Sequence, residues 1–197
     1  MLAIESARPW PMPAAMGQAV RAAAYRISAE IDSDSALGVP SRAVYVPCRH
    51  TDGLLPILAG GRVFPGVHQR AEIDVDADAK QLSWSVRGLS SERSDEGGVA
   101  QFDIAAVADL QSAVPATSEV ADIVIGTELG LSPGHRPGSI ESAELCPASR
   151  AAQRVDLTSL RSDFLDSFSS AAPAESLLMT DVGVIWRRAE LPASMAA

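Results

Sequence analysis

Two side chains in this sequence, Ser132 and His50, are of the types needed for hydroxyl-based catalysis. Ser132 closes the stretch ELGLS and is followed directly by Pro133. His50 closes the apolar segment AVYVPCRH and stands just before a loop. A serine hydroxyl becomes a strong nucleophile when a neighbouring base takes its proton, and a histidine titrates near neutral pH. The pair therefore predicts nucleophilic attack on an acyl carbon.

The residues after Ser132 limit the type of site. Pro133 makes the nucleophile elbow of α/β-hydrolases a poor fit and removes one backbone N–H that would stabilise an oxyanion. Gly134 leaves room for a substrate carbonyl, and a nearby arginine could supply the missing positive charge. Of the other two histidines, His68 opens a polar strand and is predicted to be ordinary surface, while His135 is predicted to lie in a turn.

Composition excludes several other functions. The chain has 197 residues and a net charge of −9, which argues against a nucleic-acid surface. Its longest apolar runs are too short to span a membrane as a helix. The two cysteines have no zinc-site spacing, and the acidic run EIDVDADAK lacks the glycine and closing glutamate of a calcium loop. We therefore predict no metal and no cofactor.

The pattern of the chain predicts a strand-dominated α+β fold with helices outside. Residues 1–20 are predicted to form an irregular arm, 21–191 a single domain and 192–197 a loose tail. Strands are predicted in the following segments: 23–32, 41–49, 68–77, 81–89 and 139–148. Segments 68–77 and 81–89 should form a hairpin, with DADAK at the connection.

Three later segments are less uniform. The apolar positions around 104–110 favour a helix over a strand, and 119–132 reads as a buried strand or as a passage from helix to strand. Residues 155–171 carry leucines and phenylalanines at helical spacing, which predicts an amphipathic helix. Residues 176–191 should form a last strand or helix.

Three blocks, in order, resemble the capsid-maturation serine proteases of tailed phages and herpesviruses, the prohead protease and assemblin superfamily. The first block is VPCRHTDGLLPILAGGRV (46–63), and the second is DADAKQLSWSVRGL (76–89). The third is ELGLSPGHRP followed by GSIESAELCPASRAA, from residue 128 to 152. The resemblance covers roughly residues 40–155. It implies a closed or partly open β-barrel with helices packed outside.

The resemblance also assigns roles to residues. His50 matches the general base, Ser132 the nucleophile and Arg150 the arginine that supports the oxyanion. The third member departs from the family, because Ser142 stands where a histidine or glutamate is expected. Glu144, two residues on and on the same strand face, could orient His50 in its place. Glu141 would face the other side, and His135 is a further alternative close to the nucleophile in sequence.

By the same resemblance, the protein would be a serine endopeptidase that processes scaffold and major capsid proteins, and sometimes itself. It would act in the host cytoplasm, inside the immature shell. Family members dimerise through an outer helix, for which 155–171 is the predicted counterpart. The alternative is a non-enzymatic, β-rich structural component of a virion or particle, since short strands, few aromatic residues and an irregular arm also suit that class.

Overall fold

The computed structural model describes residues 2–7, 13–30, 42–60, 66–89, 103–134, 136, 138–147, 151–166, 175–180 and 184–188. Strands dominate these residues and the helices among them are short, which confirms the strand-rich α+β prediction. The chain divides into two compact units, each described below by itself. The single domain over 21–191 stays a prediction.

Unit 1 comprises Met1–Gln69, Gly126–Ser149 and Val182–Ala197. Three of its strands pair antiparallel: β1 (Leu2–Ala7), β2 (Gln18–Ala24) and β5 (Arg49–Thr51). A five-stranded sheet has the order β13 (Val184–Arg188), β10 (Ile140–Pro147), β9 (Leu129–Pro133), β4 (Arg42–Tyr45) and β3 (Ile27–Glu30). Its β4–β9 pair is parallel and the other pairs are antiparallel. Helix α1 (Leu54–Ala59) follows β5, and a 3₁₀ turn (Ala14–Met16) precedes β2.

Unit 2 comprises Arg70–Ile125 and Arg150–Asp181. Its antiparallel sheet has the order β6 (His68–Ala77), β7 (Gln81–Gly88), β8 (Asp103–Pro115), β11 (Gln153–Ser162) and β12 (Leu177–Leu178). Helices α2 (Glu119–Gly126) and α3 (Asp163–Asp166) follow β8 and β11. His68 and Gln69, the first residues of β6, belong to unit 1 by their contacts.

The predicted hairpin of β6 and β7 is confirmed. Its turn is held by Asp78, whose Oδ1 accepts hydrogen bonds from the backbone N–H groups of Lys80 (2.6 Å) and Gln81 (2.7 Å). Because these bonds stabilise the carboxylate, they lower the pKa of Asp78. An aspartate that caps its own turn in this way fixes the register of the two strands.

The segment 119–132 is the passage from helix to strand that the sequence left open, since α2 is followed directly by β9. The Ser118 hydroxyl accepts a hydrogen bond from the backbone N–H of Ala121 at 3.0 Å and so caps the start of α2. A second bond joins the Ser118 hydroxyl to the Glu175 carboxylate. The short β9 strand that results ends one residue after Ser132.

Two helix predictions were wrong. Residues 104–110 lie in strand β8, where Ala106 and Ala108 alternate as buried positions. Residues 155–162 of the predicted helix 155–171 lie in β11, which pairs with β8 along most of its length. Pairing with a long neighbouring strand has overridden the helical spacing of the apolar residues. Of the remainder, 163–166 form α3 and 167–171 lie outside the described residues.

The arm predicted over residues 1–20 contains regular structure. Strand β1 pairs with β2 in register from Leu2↔Ala22 to Ile4↔Val20, so the start of the chain is part of a sheet. Residues 8–12 and the predicted tail 192–197 lie outside the described residues.

Candidate functional site

Ser132 is placed by β9, between β4 on one side and β10 on the other. The residue is buried, with 2% of its surface exposed. Leu129 and Leu131 are also buried, and the Leu131 carbonyl accepts a hydrogen bond from the Val46 N–H at 2.7 Å. The apolar stretch before the serine therefore anchors it in the core of unit 1.

A buried arginine contacts the Ser132 hydroxyl. Arg49 Nη2 donates a hydrogen bond to Ser132 Oγ at 2.7 Å, the short distance typical of a charged donor. Burial, followed by the nearby positive charge of Arg26, lowers the pKa of Arg49 to about 10, while the Glu141 carboxylate opposes the shift. At neutral pH the guanidinium is therefore protonated. A cation in this position stabilises negative charge that develops on the serine oxygen.

Gly66 fits closely against the same serine and arginine. Its φ is +76°, a conformation that favours glycine. A methyl group placed on Gly66 would lie 2.9 Å from Arg49 Nε and 3.1 Å from Ser132 Oγ. The Gly66 N–H donates a hydrogen bond to Glu141 Oε2 at 3.0 Å. Gly66 is thus the backbone element that packs beside the serine hydroxyl.

His68 is connected to this cluster through Gly66. The Gly66 carbonyl accepts a hydrogen bond from His68 Nδ1 at 3.1 Å. Burial and then the positive charge of Arg49 lower the pKa of His68 to about 4, against the opposing effect of the Gly66 bond. The expectation that His68 is ordinary surface was wrong, since the side chain is half-buried and hydrogen-bonded.

His50 has different neighbours. It is buried, and Cys48 Sγ lies 3.5 Å from its Nδ1 and 3.8 Å from its Nε2. Nδ1 and Nε2 are both bonded to the ring carbon Cε1. A sulfur in the plane of the ring at these two distances would therefore overlap with Cε1. The sulfur therefore lies over the face of the imidazole ring, and Cys48 Sγ donates to Gln69 Oε1 at 3.3 Å. Burial lowers the pKa of His50 to about 4, partly offset by its hydrogen bond with Gln69.

Arg49 and His50 are consecutive residues of β5, so their side chains leave the strand toward opposite faces. The face that carries Arg49 is the one that reaches Ser132. His50 lies with Cys48 and Gln69 on the other side. The pairing of His50 with Ser132 remains a prediction.

The register of β9 and β10 sorts the candidate third residues. Glu141 lies directly opposite Ser132, Ser142 opposite Leu131 and Glu144 opposite Leu129. Directly opposed residues share a sheet face, so Glu141 is on the face of Ser132 while Ser142 and Glu144 are on the other. The predicted role of Glu144 in orienting His50 is not tested by this placement. His135 and Arg150 lie outside the described residues.

Sequence reasoning missed three members of the cluster: Arg49, Gly66 and His68. Arg49 precedes His50 in the sequence, but an arginine beside a histidine gives no sign of which one faces the serine. Gly66 belongs to PGVH, a turn-forming sequence whose contact with a residue 66 positions later is visible only in the fold. Because β6 alternates with polar residues, His68 resembled a solvated position.

Within the described part of the chain, no three His, Cys, Asp or Glu side chains are grouped closely enough to hold a metal ion. None of the helices in the described ranges is long and apolar enough to cross a membrane. Comparison with models of protein families, with curated proteins and with solved structures found no match.

The two neutral histidines predict a loss of stability in mild acid. Because their pKa values are about 4 in the folded protein and near 6.5 in an unfolded chain, the unfolded state binds more protons between these values. Their contribution is fully present above pH 6.5 and is lost as the pH falls toward 4. We expect a loss on the order of 1–2 kcal/mol for each ring, after allowing for solvent screening.

Urea unfolding midpoints measured between pH 7.5 and 4.5 test this expectation. The double variant His50→Asn, His68→Asn should show a shallower fall over this range than the wild type, since the carboxylates that titrate are the same in both proteins. Equal slopes would show that folding does not lower the pKa values of the two rings.

Proposed function

We propose that this protein is a serine hydrolase of the endopeptidase type, with Ser132 as its nucleophile. The observation that carries the proposal is the 2.7 Å hydrogen bond from the buried Arg49 guanidinium to Ser132 Oγ. A structural serine needs no buried cation, and burying an arginine is costly unless its charge is used or compensated. The bond favours a hydroxyl that must carry negative charge during a reaction.

In the proposed reaction, a base takes the Ser132 proton and Oγ bonds to a peptide carbonyl carbon. The carbonyl π electrons move to the carbonyl oxygen, while Arg49 stabilises the negative charge that develops on Oγ as its proton leaves. Collapse of this intermediate expels the amine, which takes the proton from the base. Water then repeats the sequence on the acyl-enzyme, which releases the acid and restores Ser132.

The class of protease comes from the resemblance to capsid-maturation enzymes. The third block of the resemblance supports this class, because its sequences GLS and ESAELC lie on the adjacent strands β9 and β10. The substrates would be scaffold and major capsid proteins inside an assembling shell in the host cytoplasm. The proposal carries with it the finer fold prediction, a closed or partly open barrel. Dimerisation through a helix at 155–171 is not part of it, since β11 occupies residues 155–162 of that segment.

A second candidate is the non-enzymatic structural component. The observation that favours it is the burial of Ser132, which has 2% of its surface exposed. A nucleophile must meet its substrate, whereas a hydroxyl that only satisfies Arg49 in the core has no such need. The two candidates differ in whether Ser132 reacts with a small electrophile.

A fluorophosphonate probe tests this difference, because an activated serine Oγ attacks its phosphorus and displaces fluoride. We expect a single adduct, mapped by peptide mass spectrometry to Ser132, and no adduct on Ser132→Ala. Ser28→Ala serves as the control, since Ser28 is exposed on β3 of the same unit and should leave labelling unchanged. A folded wild type that stays unlabelled would support the structural candidate. Incubation of the untreated wild type with a peptide library would then show whether it cuts next to small residues.

A further inference from the structure

We propose that His68 is the general base that deprotonates Ser132. The inference rests on the proposed function, since a base is needed only if Ser132 is a nucleophile. It is carried by Gly66, which binds His68 on one side and packs against Ser132 on the other.

The contacts of Gly66 define the geometry. Its carbonyl oxygen binds His68 Nδ1 at 3.1 Å. Its α-carbon faces Ser132 so closely that an added methyl would be 3.1 Å from Oγ. His68 and Ser132 are therefore both neighbours of one glycine, and Arg49 contacts Ser132 and acts electrostatically on His68.

The hydrogen bond to Gly66 also fixes the tautomer of His68. A carbonyl oxygen can only accept, so Nδ1 must carry the ring hydrogen. In the neutral ring Nε2 then holds a lone pair, which is the atom a general base requires. In serine proteases an aspartate holds the Nδ1–H group in this way, and here the Gly66 carbonyl takes that place.

The charges around the ring keep it neutral in the resting protein. The positive charge of Arg49 on β5 disfavours the protonated form of His68, which keeps the base free at neutral pH. Arg26, close to Arg49, adds to the positive charge, and Glu141 of β10 compensates part of it. Gly60 limits the space available to the ring, since a methyl there would lie 2.9 Å from His68 Nδ1.

His50, which the resemblance matches to the base, has other described neighbours. Cys48 lies over its ring face and Gln69 bonds to its side chain. The adjacent Arg49 leaves β5 on the opposite face and is the residue that reaches Ser132. His50 is therefore the rival candidate that the test has to compare with His68.

The proton that His68 takes from Ser132 is passed on within the same reaction step. His68 Nε2 takes the proton from Ser132 Oγ as the Oγ–C bond forms, and the resulting imidazolium is next to Arg49. The imidazolium returns this proton to the leaving amine as the C–N bond breaks. The Nδ1–H bond to Gly66 is kept throughout.

The test compares rates of fluorophosphonate labelling in the wild type, His68→Asn and His50→Asn. Asparagine at position 68 keeps an N–H donor for the Gly66 carbonyl but has no base. We expect His68→Asn to react about 10²- to 10⁴-fold more slowly than the wild type, the usual contribution of a general base, and more slowly than His50→Asn. Circular dichroism and urea midpoints check that each variant is folded.

The outcomes separate this inference from the proposed function. A labelled wild type with an unaffected His68→Asn variant, or with loss confined to His50→Asn, would overturn the role of His68 and leave Ser132 as nucleophile. An unlabelled, folded wild type would overturn both proposals. ¹⁵N NMR of the wild-type imidazoles needs no variant: we expect the Nδ1–H tautomer of His68 at pH 7, and the Nε2–H tautomer would exclude Nε2 as the base. The wild-type labelling rate should also stay nearly constant from pH 8 to 5, because a base with a pKa of about 4 remains deprotonated there.

Discussion

Gly66→Ala is expected to lower the free energy of unfolding by roughly 2–5 kcal/mol, which would remove much of the stability of a domain this size. Two costs add together. The backbone at φ +76° is strained for any residue with a Cβ atom. The methyl group would also lie 2.9 Å from Arg49 Nε and 3.0 Å from Ser132 Cβ, which forces one of them to move.

Gly138→Ala separates these two costs. Gly138 has nearly the same φ, +77°, but a methyl there would meet nothing within 4 Å. We expect it to lose about 1 kcal/mol, from backbone strain alone. The difference between the two variants in urea unfolding then measures the packing of Gly66 against Ser132 and Arg49. Equal losses would show that the cluster adapts to a methyl group and that its close packing contributes nothing.

The same comparison reports on the site. A displaced Ser132 or Arg49 should slow fluorophosphonate labelling of the Gly66→Ala variant, while Gly138→Ala should react at the wild-type rate. If Gly66→Ala does not fold, its labelling rate cannot be measured, and Gly66→Ser would have the same problem because it carries the same Cβ atom. The prediction is then decided by the difference in stability between Gly66→Ala and Gly138→Ala.

Local patterns predicted much of the framework. The β6–β7 hairpin follows from alternation on both sides of a turn that contains Asp78. This prediction depends on residues that are close in the sequence. Such signals survive in the fold because their physical cause is local.

The errors came from distant contacts. The leucines at 157 and 160 have helical spacing, but β8 offers a strand to pair with, and the backbone bonds of β11 go to it. In the same way Arg49 reaches a serine that lies 83 positions away, and Gly66 bonds to Glu141 across 75 positions. The sequence showed Ser132 as a candidate, but which charged residues surround it depends on how the strands are brought together.

Arg49→Met is expected to destabilise unit 1 by roughly 3–5 kcal/mol, because it removes a buried cation and leaves the groups that interact with it uncompensated. Glu141 would lose the nearby positive charge, and Ser132 Oγ its 2.7 Å donor. Arg42→Met is a suitable control, since Arg42 is an exposed arginine of β4 in the same unit and should lose no more than about 0.5 kcal/mol.

A double-mutant cycle with Ser132→Ala isolates the bond between arginine and serine. We expect a coupling energy of roughly 1.5–3 kcal/mol, the range for hydrogen bonds to charged groups. Arg49→Lys keeps the charge but loses the planar fork, so it should recover part of the stability without the full coupling. A coupling near zero would mean that Arg49 is held by Glu141 and its other neighbours, with the serine hydroxyl incidental to it. Because the proposed chemistry needs the guanidinium to act on Oγ, that result would also remove the observation on which the nucleophile assignment depends.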